Sequence, residues 1–446
     1  MRLLPERVSA LLLSELALSF LCFVASALLI FGPAGLAGGR PRGLAVAALS
    51  VVVSCYFAGL YRNLQWRSRI ALILQLGSAF GVVLLLQGAF AYTGAALEVA
   101  RWVTLSGVSL NFALMVLWRV VYSGLLRKLY PAAPILFLGV DDVMCEIAAE
   151  IAARPGLGFS VAGFLSDTHP PGDSGAGAAG VGKELGGIDD LSEVAERLQI
   201  RRIVVGLDEA QRKLPMAALM AAKRKGIAVE EAGSAYELVC GRVCYRTFRP
   251  SQIVFANELA VSPGVMALQS IYSNLVGLIA FICAAPVLAA ARLLIRLSSR
   301  GPALISEQYA GMSGIPFTAS RLRCTDLDNP RKVTTAGRWI RRLHLEYLPR
   351  IGNVVRGEMS LVGPAPMRLE FDEYLSGLIP VYRQRQIVKP GLTGWTQIQA
   401  SDSDLPDALR EVESDLYYTK HLSITLDAYI LLHSITGGHQ KSPPAG

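Results

Sequence analysis

The sequence predicts an integral membrane protein: an α-helical bundle at its N-terminus, then an α/β region, then a third region that opens with another long apolar run. Three observations carry this. Four long uncharged stretches lie within the first 118 residues. Short apolar strand-like segments then alternate with helical ones as far as Gly206. A further uncharged run starts at Leu259 and reaches Arg292. Composition agrees, since 17% of the 446 residues are charged, against roughly 25% in soluble domains.

The first region is assigned to residues 1–130. Leu16 to Gly39, Gly43 to Tyr61, Ile70 to Leu97 and Trp102 to Trp118 carry no charge. Each approaches or exceeds the roughly 20 residues a helix needs to cross a bilayer. The first is too long for a signal-peptide core and three more spans follow it, so it stays in the membrane. Arg2 and Arg7, then Arg62, Arg67 and Arg69, then Arg119, Arg127 and Lys128 flank one side; Arg40, Arg42 and Arg101 flank the other. That bias places the N-terminus and everything after about residue 120 in the cytoplasm. With no charge expected mid-span, the four helices read as an anchor and not as an ion pathway.

The formal net charge of +8 suits a partner bearing phosphate or anionic lipid head groups. The basic residues are scattered and form no nucleic-acid-binding motif, so nucleic acid is not an expected partner. Seven cysteines are present. Only Cys240 and Cys244 are close together, and without a neighbouring histidine or second cysteine pair they read as reduced thiols in place of a metal site.

Residues 131–255 form the second region. Pro134 to Gly139, Phe159 to Phe164 and Arg202 to Gly206 read as strands; Val140 to Ala153 and Asp190 to Leu198 read as helices. The alternation predicts a parallel sheet covered by helices, a Rossmann-like layout. Pro170 to Gly187, rich in Gly, Ala and Pro, reads as a loop. The turn Gly139-Val-Asp-Asp has one glycine where a dinucleotide cradle needs three, and Asp141 and Asp142 repel a pyrophosphate. A structural or regulatory domain is expected.

In residues 256–446 the apolar run contains Pro286, with Arg292, Arg296 and Arg300 behind it. Proline removes a backbone hydrogen bond and clashes with the preceding turn. The residues alone leave two readings equal: a fifth crossing, or a helix broken at Pro286 that enters and leaves on one face.

Motifs in this region decide between them by resemblance. Arg300-Gly-Pro302, Gly357-Glu-Met-Ser-Leu-Val-Gly-Pro364, Lys389-Pro-Gly-Leu-Thr-Gly-Trp395, and Asp415-Leu-Tyr-Tyr418 followed by Leu426-Asp427 resemble the bacterial polyprenyl-phosphate sugar-1-phosphate transferases, the monotopic phosphoglycosyl transferases. Tyr236-Glu-Leu-Val-Cys-Gly-Arg-Val, with Phe248-Arg-Pro-Ser, is similar to the exosortase-associated exopolysaccharide branch. The resemblance implies a re-entrant membrane helix at about 268–298 and a small, mainly helical catalytic domain. It also implies transfer of a sugar phosphate from a nucleotide diphosphate sugar to polyprenyl phosphate. An aspartate attacks the sugar-linked phosphate, the nucleotide monophosphate leaves, and the lipid phosphate then takes the phosphosugar from the enzyme. Mg²⁺ and basic side chains offset the phosphate charge. The bacterial inner membrane is the implied location, and a homodimer the implied assembly.

The chain departs from that pattern at its centre. The family's Asp-Glu pair before Leu-Pro reads Glu346-Tyr347 here. Glu346 stands where the nucleophile, or a metal ligand, is expected, and Tyr347 where the glutamate is. A protonated phenol is a poor ligand for a hard cation. Gly-Pro-Arg-Pro reads Gly363-Pro-Ala365-Pro366, and Arg-Gln-Glu-Arg-x-Gly reads Ser306-Glu-Gln-Tyr309-Ala-Gly311, losing both arginines. Arg321, Arg323, Arg338, Arg356 and Lys389 keep their places as phosphate-binding candidates. The competing reading of Glu346 is an exposed helix carboxylate beside Arg342 or Arg350. His344 reads as a surface residue, and Trp395 as core. The expected function is the transferase that initiates exopolysaccharide synthesis. The alternative is a catalytically inactive paralogue that scaffolds an active transferase or holds its lipid carrier. A structural anchor whose middle domain does the recognition is a third, weaker reading.

Overall fold

A computed structural model of the chain describes residues 5–33, 40–58, 60–61, 69–92, 99–129, 132–154, 157–166, 182–206, 214–247, 261–326, 332–399 and 408–436. Arg2, Arg62, Arg67, most of the Pro170–Gly187 segment, Phe248-Arg-Pro-Ser and the tail from His439 lie outside the described residues. The chain divides into two compact units, Met1–Ala235 and Tyr236–Gly446.

The first unit opens with four apolar helices: α1 (Pro5–Phe31), α2 (Arg40–Phe57), α3 (Arg69–Tyr92) and α4 (Arg101–Leu129). α1, α3 and α4 contain stretches long and apolar enough to cross a membrane, while the apolar part of α2, Pro41–Tyr56, is shorter. Their outward faces are hydrocarbon: Leu29 is 86% exposed and Leu85 76%, the reverse of a water-soluble surface. Inside, Phe23, Val51, Leu76, Val83 and Met115 are fully buried. Gly107 lets α4 approach Phe23, because a Cβ there would sit 2.5 Å from the ring.

The expectation of no charge mid-span needs correction. Glu15 and Arg119 lie within the apolar stretches Leu11–Phe31 and Arg101–Leu125 and are buried. Arg119 Nε sits 2.7 Å from Glu15 Oε1 and its Nη2 3.0 Å from Oε2. Arg119 also donates to the Leu60 carbonyl at 3.0 Å and lies over the Tyr61 ring, whose hydroxyl donates to Glu15. Each charge sits one residue beyond an uncharged stretch, so counting missed them; the helices run further than those stretches. The ion pair ties the first half of α1, the residues just after α2 and the later part of α4 together. It is the expected state of an intramembrane charge with a structural role.

The rest of this unit is a four-stranded sheet of β1 (Ala133–Leu138), β2 (Phe159–Leu165), β3 (Arg202–Val205) and β4 (Ala228–Glu231), ordered β2-β1-β3-β4 and parallel throughout. Helices α5 (Asp142–Ala153), α6 (Leu191–Arg197), α7 (Met216–Arg224) and α8 (Ala232–Cys240) connect and follow the strands. Ile135 to Leu138 and Ile203 to Val204 are buried, as parallel strands covered on both faces should be. At the first strand–helix turn Asp141 caps α5, accepting from the Met144 amide at 2.7 Å. A Cβ on Gly206 would lie 2.2 Å from Met144 Cε. The helix N-terminus that a dinucleotide would use is thus filled by the chain's own carboxylate and thioether.

The second unit begins within α8 and contains α9 (Pro263–Ser298), β5 (Leu304–Ala310), β6 (Pro316–Leu322), α10 (Thr335–Arg342), α11 (Ile351–Val355), β7 (Ser360–Val362), α12 (Leu369–Leu378), β8 (Gly391–Thr393), α13 (Trp395–Gln399), α14 (Ala408–Lys420) and α15 (Ile424–Thr436). Its 36 residues give α9 a length of about 54 Å. It stays helical through Pro286, so the break expected at the proline does not divide it in two. An apolar setting with intact flanking turns tolerates the lost hydrogen bond. One side of α9 packs on the domain along its length. Gln269 Nε2 donates to Asp427 at 2.9 Å and to the Val362 carbonyl at 3.2 Å. Gly277 abuts Val354, and Leu288, Ala291 and Ile295 join Cys324 and Ile340 in one core cluster. The other side exposes Ile271, Leu275, Ile279, Ile282, Leu293 and Leu297.

Trp395 is buried, stacks on Tyr417 with ring centroids 5.4 Å apart, and donates to the Gly241 carbonyl at 2.8 Å. It is core, as read from the sequence. The Tyr236–Val243 segment docks beside it: Tyr236 donates to Glu413 at 2.9 Å, and the Val243 amide to the Glu413 carbonyl at 3.1 Å.

Candidate active site

The site grows from the β5–β6 hairpin. Glu307 pairs with Ala319 and Ile305 with Arg321 in an antiparallel register. Side chains two residues apart on a strand share a face, and diagonal neighbours reach each other. One face therefore presents Glu307, Tyr309 and Arg321 together. Tyr309 donates to Glu307 Oε2 at 2.8 Å, and Arg321 Nη2 lies 3.5 Å from Oε1. Arg368, whose backbone bridges to Tyr309, donates to the same Oε1 at 3.1 Å.

Glu346 is brought to this face by the end of α10. The amide of His344 bonds to the Arg341 carbonyl at 3.1 Å and that of Leu345 to Ile340 at 3.0 Å, the paired bonds of a Schellman cap. His344 occupies the left-handed position, φ 55°, that glycine usually takes. It is a surface residue with a backbone role. The reversed chain lays Glu346 against β6, where its carbonyl accepts from the Leu322 amide at 2.8 Å. The Glu346 carboxylate receives Arg321 Nη1 at 3.0 Å and has Arg341 Nε 3.9 Å from its other oxygen. Its side chain is 16% exposed and lies in a turn, so the reading as an exposed helix carboxylate beside Arg342 or Arg350 does not hold.

Arg350, in the short 3-10 turn Leu348–Arg350, completes the group. It donates to the Tyr309 hydroxyl at 2.9 Å. Its guanidinium sits 5.0 Å from the Tyr309 ring centroid and 4.5 Å from that of Tyr347, within cation–π range. Burial pushes the Glu307 carboxyl up, but the Tyr309 hydrogen bond and the charges of Arg368 and Arg321 outweigh it and hold the group below its usual range. Burial opposes the charge on Arg321, and the bond to Glu346 with the Glu307 charge overcomes this and raises it. Four guanidinium groups against two carboxylates leave two positive charges.

The sequence candidates divide among several places. Glu346, Tyr347 and Arg321 come together here. Arg323 does not join them: β6 ends at Leu322, strand alternation stops, and the buried Arg323 guanidinium bonds to the carbonyl of Arg300 at 2.9 Å and to Ser299 Oγ at 2.8 Å. It closes the end of α9. Arg338 is exposed on α10. Arg356 bonds to Glu358 at 3.0 Å, and Asn353 holds the same Glu358 oxygen at 2.8 Å. Lys389 Nζ lies 3.7 Å from where a Cβ on Gly357 would be. Arg350 and Asn353, three residues apart on one helical stretch, face the same side. Sequence reasoning did not assign Glu307, Arg341, Arg350 or Arg368 to the site.

A family model described as bacterial sugar transferase matches residues 265–440. The chain is 33% identical over 184 residues to the exopolysaccharide production protein PSS of Rhizobium leguminosarum bv. phaseoli, covering 37% of this chain and 90% of that protein. The chain belongs to the bacterial sugar transferase family. Another member, an undecaprenyl-phosphate glucose phosphotransferase of Komagataeibacter xylinus, is 40% identical over 34% of this chain, which spans about a third (32%) of that relative's length. A UDP-glucose:undecaprenyl-phosphate glucose-1-phosphate transferase of Xanthomonas campestris pv. campestris is 24% identical over 87% of this chain and 84% of its own.

A resident Mg²⁺ is the cofactor this family resemblance implies, and the donor set tests it. Hard cations need several oxygen ligands. Glu307 has Arg321 and Arg368 on one carboxylate oxygen and the Tyr309 hydroxyl on the other; Glu346 faces Arg321 and Arg341. Tyr347 supplies a phenol beneath Arg350. No group of three His, Cys, Asp or Glu side chains able to hold a metal occurs among the described residues. Among the described residues, this donor set does not fit a resident Mg²⁺.

Proposed function

We propose that the protein moves a sugar-1-phosphate from a nucleotide diphosphate sugar to polyprenyl phosphate, the first step of an exopolysaccharide. The observation that carries this is Glu346: a carboxylate turned in from a Schellman cap, oriented by Arg321 and standing beside Arg341. One Glu346 oxygen attacks the phosphorus bonded to the sugar. The bond from that phosphorus to the bridging oxygen breaks, and the nucleotide monophosphate departs with the electron pair. The resulting acyl phosphate carries the sugar. An oxygen of polyprenyl phosphate then attacks the same phosphorus, releasing the Glu346 carboxylate and forming a sugar-linked polyprenyl diphosphate. No proton transfer is required in either step. The arginines stabilise charge on the transferring group. The names of the relatives support the donor and acceptor classes.

On this reading α9 is a face-bound membrane element. A helix of about 54 Å that packs on one domain near both ends, through Gln269 and Ile295, and shows apolar side chains on its far side, lies at the membrane surface of that domain. The site then faces lipid phosphate at head-group height. The arginine bias of the N-terminal flanks supports a reading in which the sheet, a degenerate Rossmann-like domain, and the transferase domain lie on the cytoplasmic side of a bacterial inner membrane. The test is intact-protein mass spectrometry after incubation with UDP-glucose and other nucleotide sugars. The wild type should gain one phosphosugar and Glu346→Gln none. An adduct retained in Glu346→Gln, or absent from the wild type with every donor, removes the proposal.

A further inference from the structure

We infer that this site neutralises its diphosphate ligand with arginines alone, so that a nucleotide diphosphate sugar binds without a divalent cation. The inference rests on the proposed transferase reading for the identity of the ligand. The pyrophosphate bridge of a nucleotide sugar carries two negative charges, one per phosphorus. Arg321, Arg341, Arg350 and Arg368, offset by Glu307 and Glu346, leave two positive ones. The guanidinium groups come from four different segments and meet through shared partners: Arg341 and Arg321 on Glu346, Arg321 and Arg368 on Glu307. Planar guanidinium forks suit phosphate oxygens.

Arg350 supplies the most specific part. Tyr309 and Tyr347 hold it by their rings, and the Tyr309 hydroxyl takes one of its Nη2 hydrogens. Its Nε is buried with no hydrogen-bond partner among the described residues. Leaving such a donor unmade is costly. The carboxylates, in turn, are engaged with arginines and a tyrosine, which leaves no open ligand set for a hard cation among the described residues. The same cations that would repel one another without ligand are held in place by Glu307 and Glu346 until a diphosphate enters.

The experiment is calorimetric binding to the full-length protein in detergent, using UDP-glucose and, separately, inorganic pyrophosphate, each with excess EDTA or with magnesium chloride. Equal affinity in both buffers is expected. Arg350→Gln and Arg368→Gln should each weaken binding in EDTA by about tenfold. Arg368 is half exposed, so its variant tests the site without burdening the fold. Binding that appears only with magnesium, no binding in either buffer, or binding in EDTA indifferent to both substitutions would each overturn the inference. A phosphosugar adduct that needs magnesium rejects this inference and keeps the transferase reading. Arginine-dependent binding in EDTA without any adduct does the reverse.

Discussion

Arg350 donates to the Tyr309 hydroxyl across 2.9 Å while that hydroxyl donates to Glu307 at 2.8 Å. One phenol thus couples a cation from the 3-10 turn after Tyr347 to a carboxylate on β5. Burial and the bond to Glu307 raise the Tyr309 pKa despite the nearby Arg350, so the hydroxyl keeps its proton at neutral pH and serves both partners.

Removing that hydroxyl in Tyr309→Phe should cost about 1–2 kcal/mol of stability in the C-terminal unit, read as a lower unfolding midpoint. Affinity for UDP-glucose should fall as well, because Arg350 loses its anchor. An unchanged midpoint with unchanged affinity would show the contact to be idle.

Glu346→Asp restores the residue type that the family resemblance places here, yet it should slow transfer. Shortening the side chain withdraws the carboxylate by about 1 Å, and such a shift in a positioned group costs roughly a hundredfold. The measurement is the rate of adduct formation at saturating donor. A faster Asp variant would mean that the surrounding arginines are not set for glutamate.

Truncating one member of the membrane pair, Glu15→Ala or Arg119→Ala, should destabilise the helical bundle by about 3 kcal/mol or more, since each leaves a buried charge alone. Replacing both by leucine should recover much of the loss. Unfolding in detergent followed by circular dichroism gives the three values, and additive losses would dismiss the coupling.

Glu411 gives a pH signature. Burial, then the Asp415 charge, pushes its carboxyl from 4.5 up to about 7, against the pull of Arg385. A raised folded-state pKa in an acid means that the native protein binds more protons than the unfolded chain between these values. Stability is therefore fullest below about pH 4.5 with respect to this group, and falls as pH rises through about 7. The slope from one group is at most about 1.4 kcal/mol per pH unit. Glu411→Gln should flatten this part of the unfolding-midpoint profile; a profile identical to wild type would place the titration elsewhere.

His344→Val should be less stable than His344→Gly by about 1 kcal/mol or more, because a β-branched residue resists the left-handed cap. Differential scanning of both variants separates a backbone role from a chemical one: equal losses in the two would contradict the cap.

Residue order alone determined the apolar N-terminal helices, the parallel sheet and the family. Hydrocarbon runs and alternating strand–helix periods are local properties, and Gly357 to Pro364 is a contiguous string. It also placed Asp141 at the first strand–helix turn, where it caps α5, because a turn and its helix cap are neighbours in the chain. Tertiary structure decided what was not contiguous. Glu15 and Arg119 are 104 residues apart, and only helix packing reveals that each satisfies the other. Arg321 and Arg323 look equivalent in sequence, but the end of β6 sends one to Glu346 and the other into the end of α9. Arg350 and Arg368 gain their place beside Tyr309 and Glu307 because charge is balanced in space, across segments whose separation along the chain carries no trace of it.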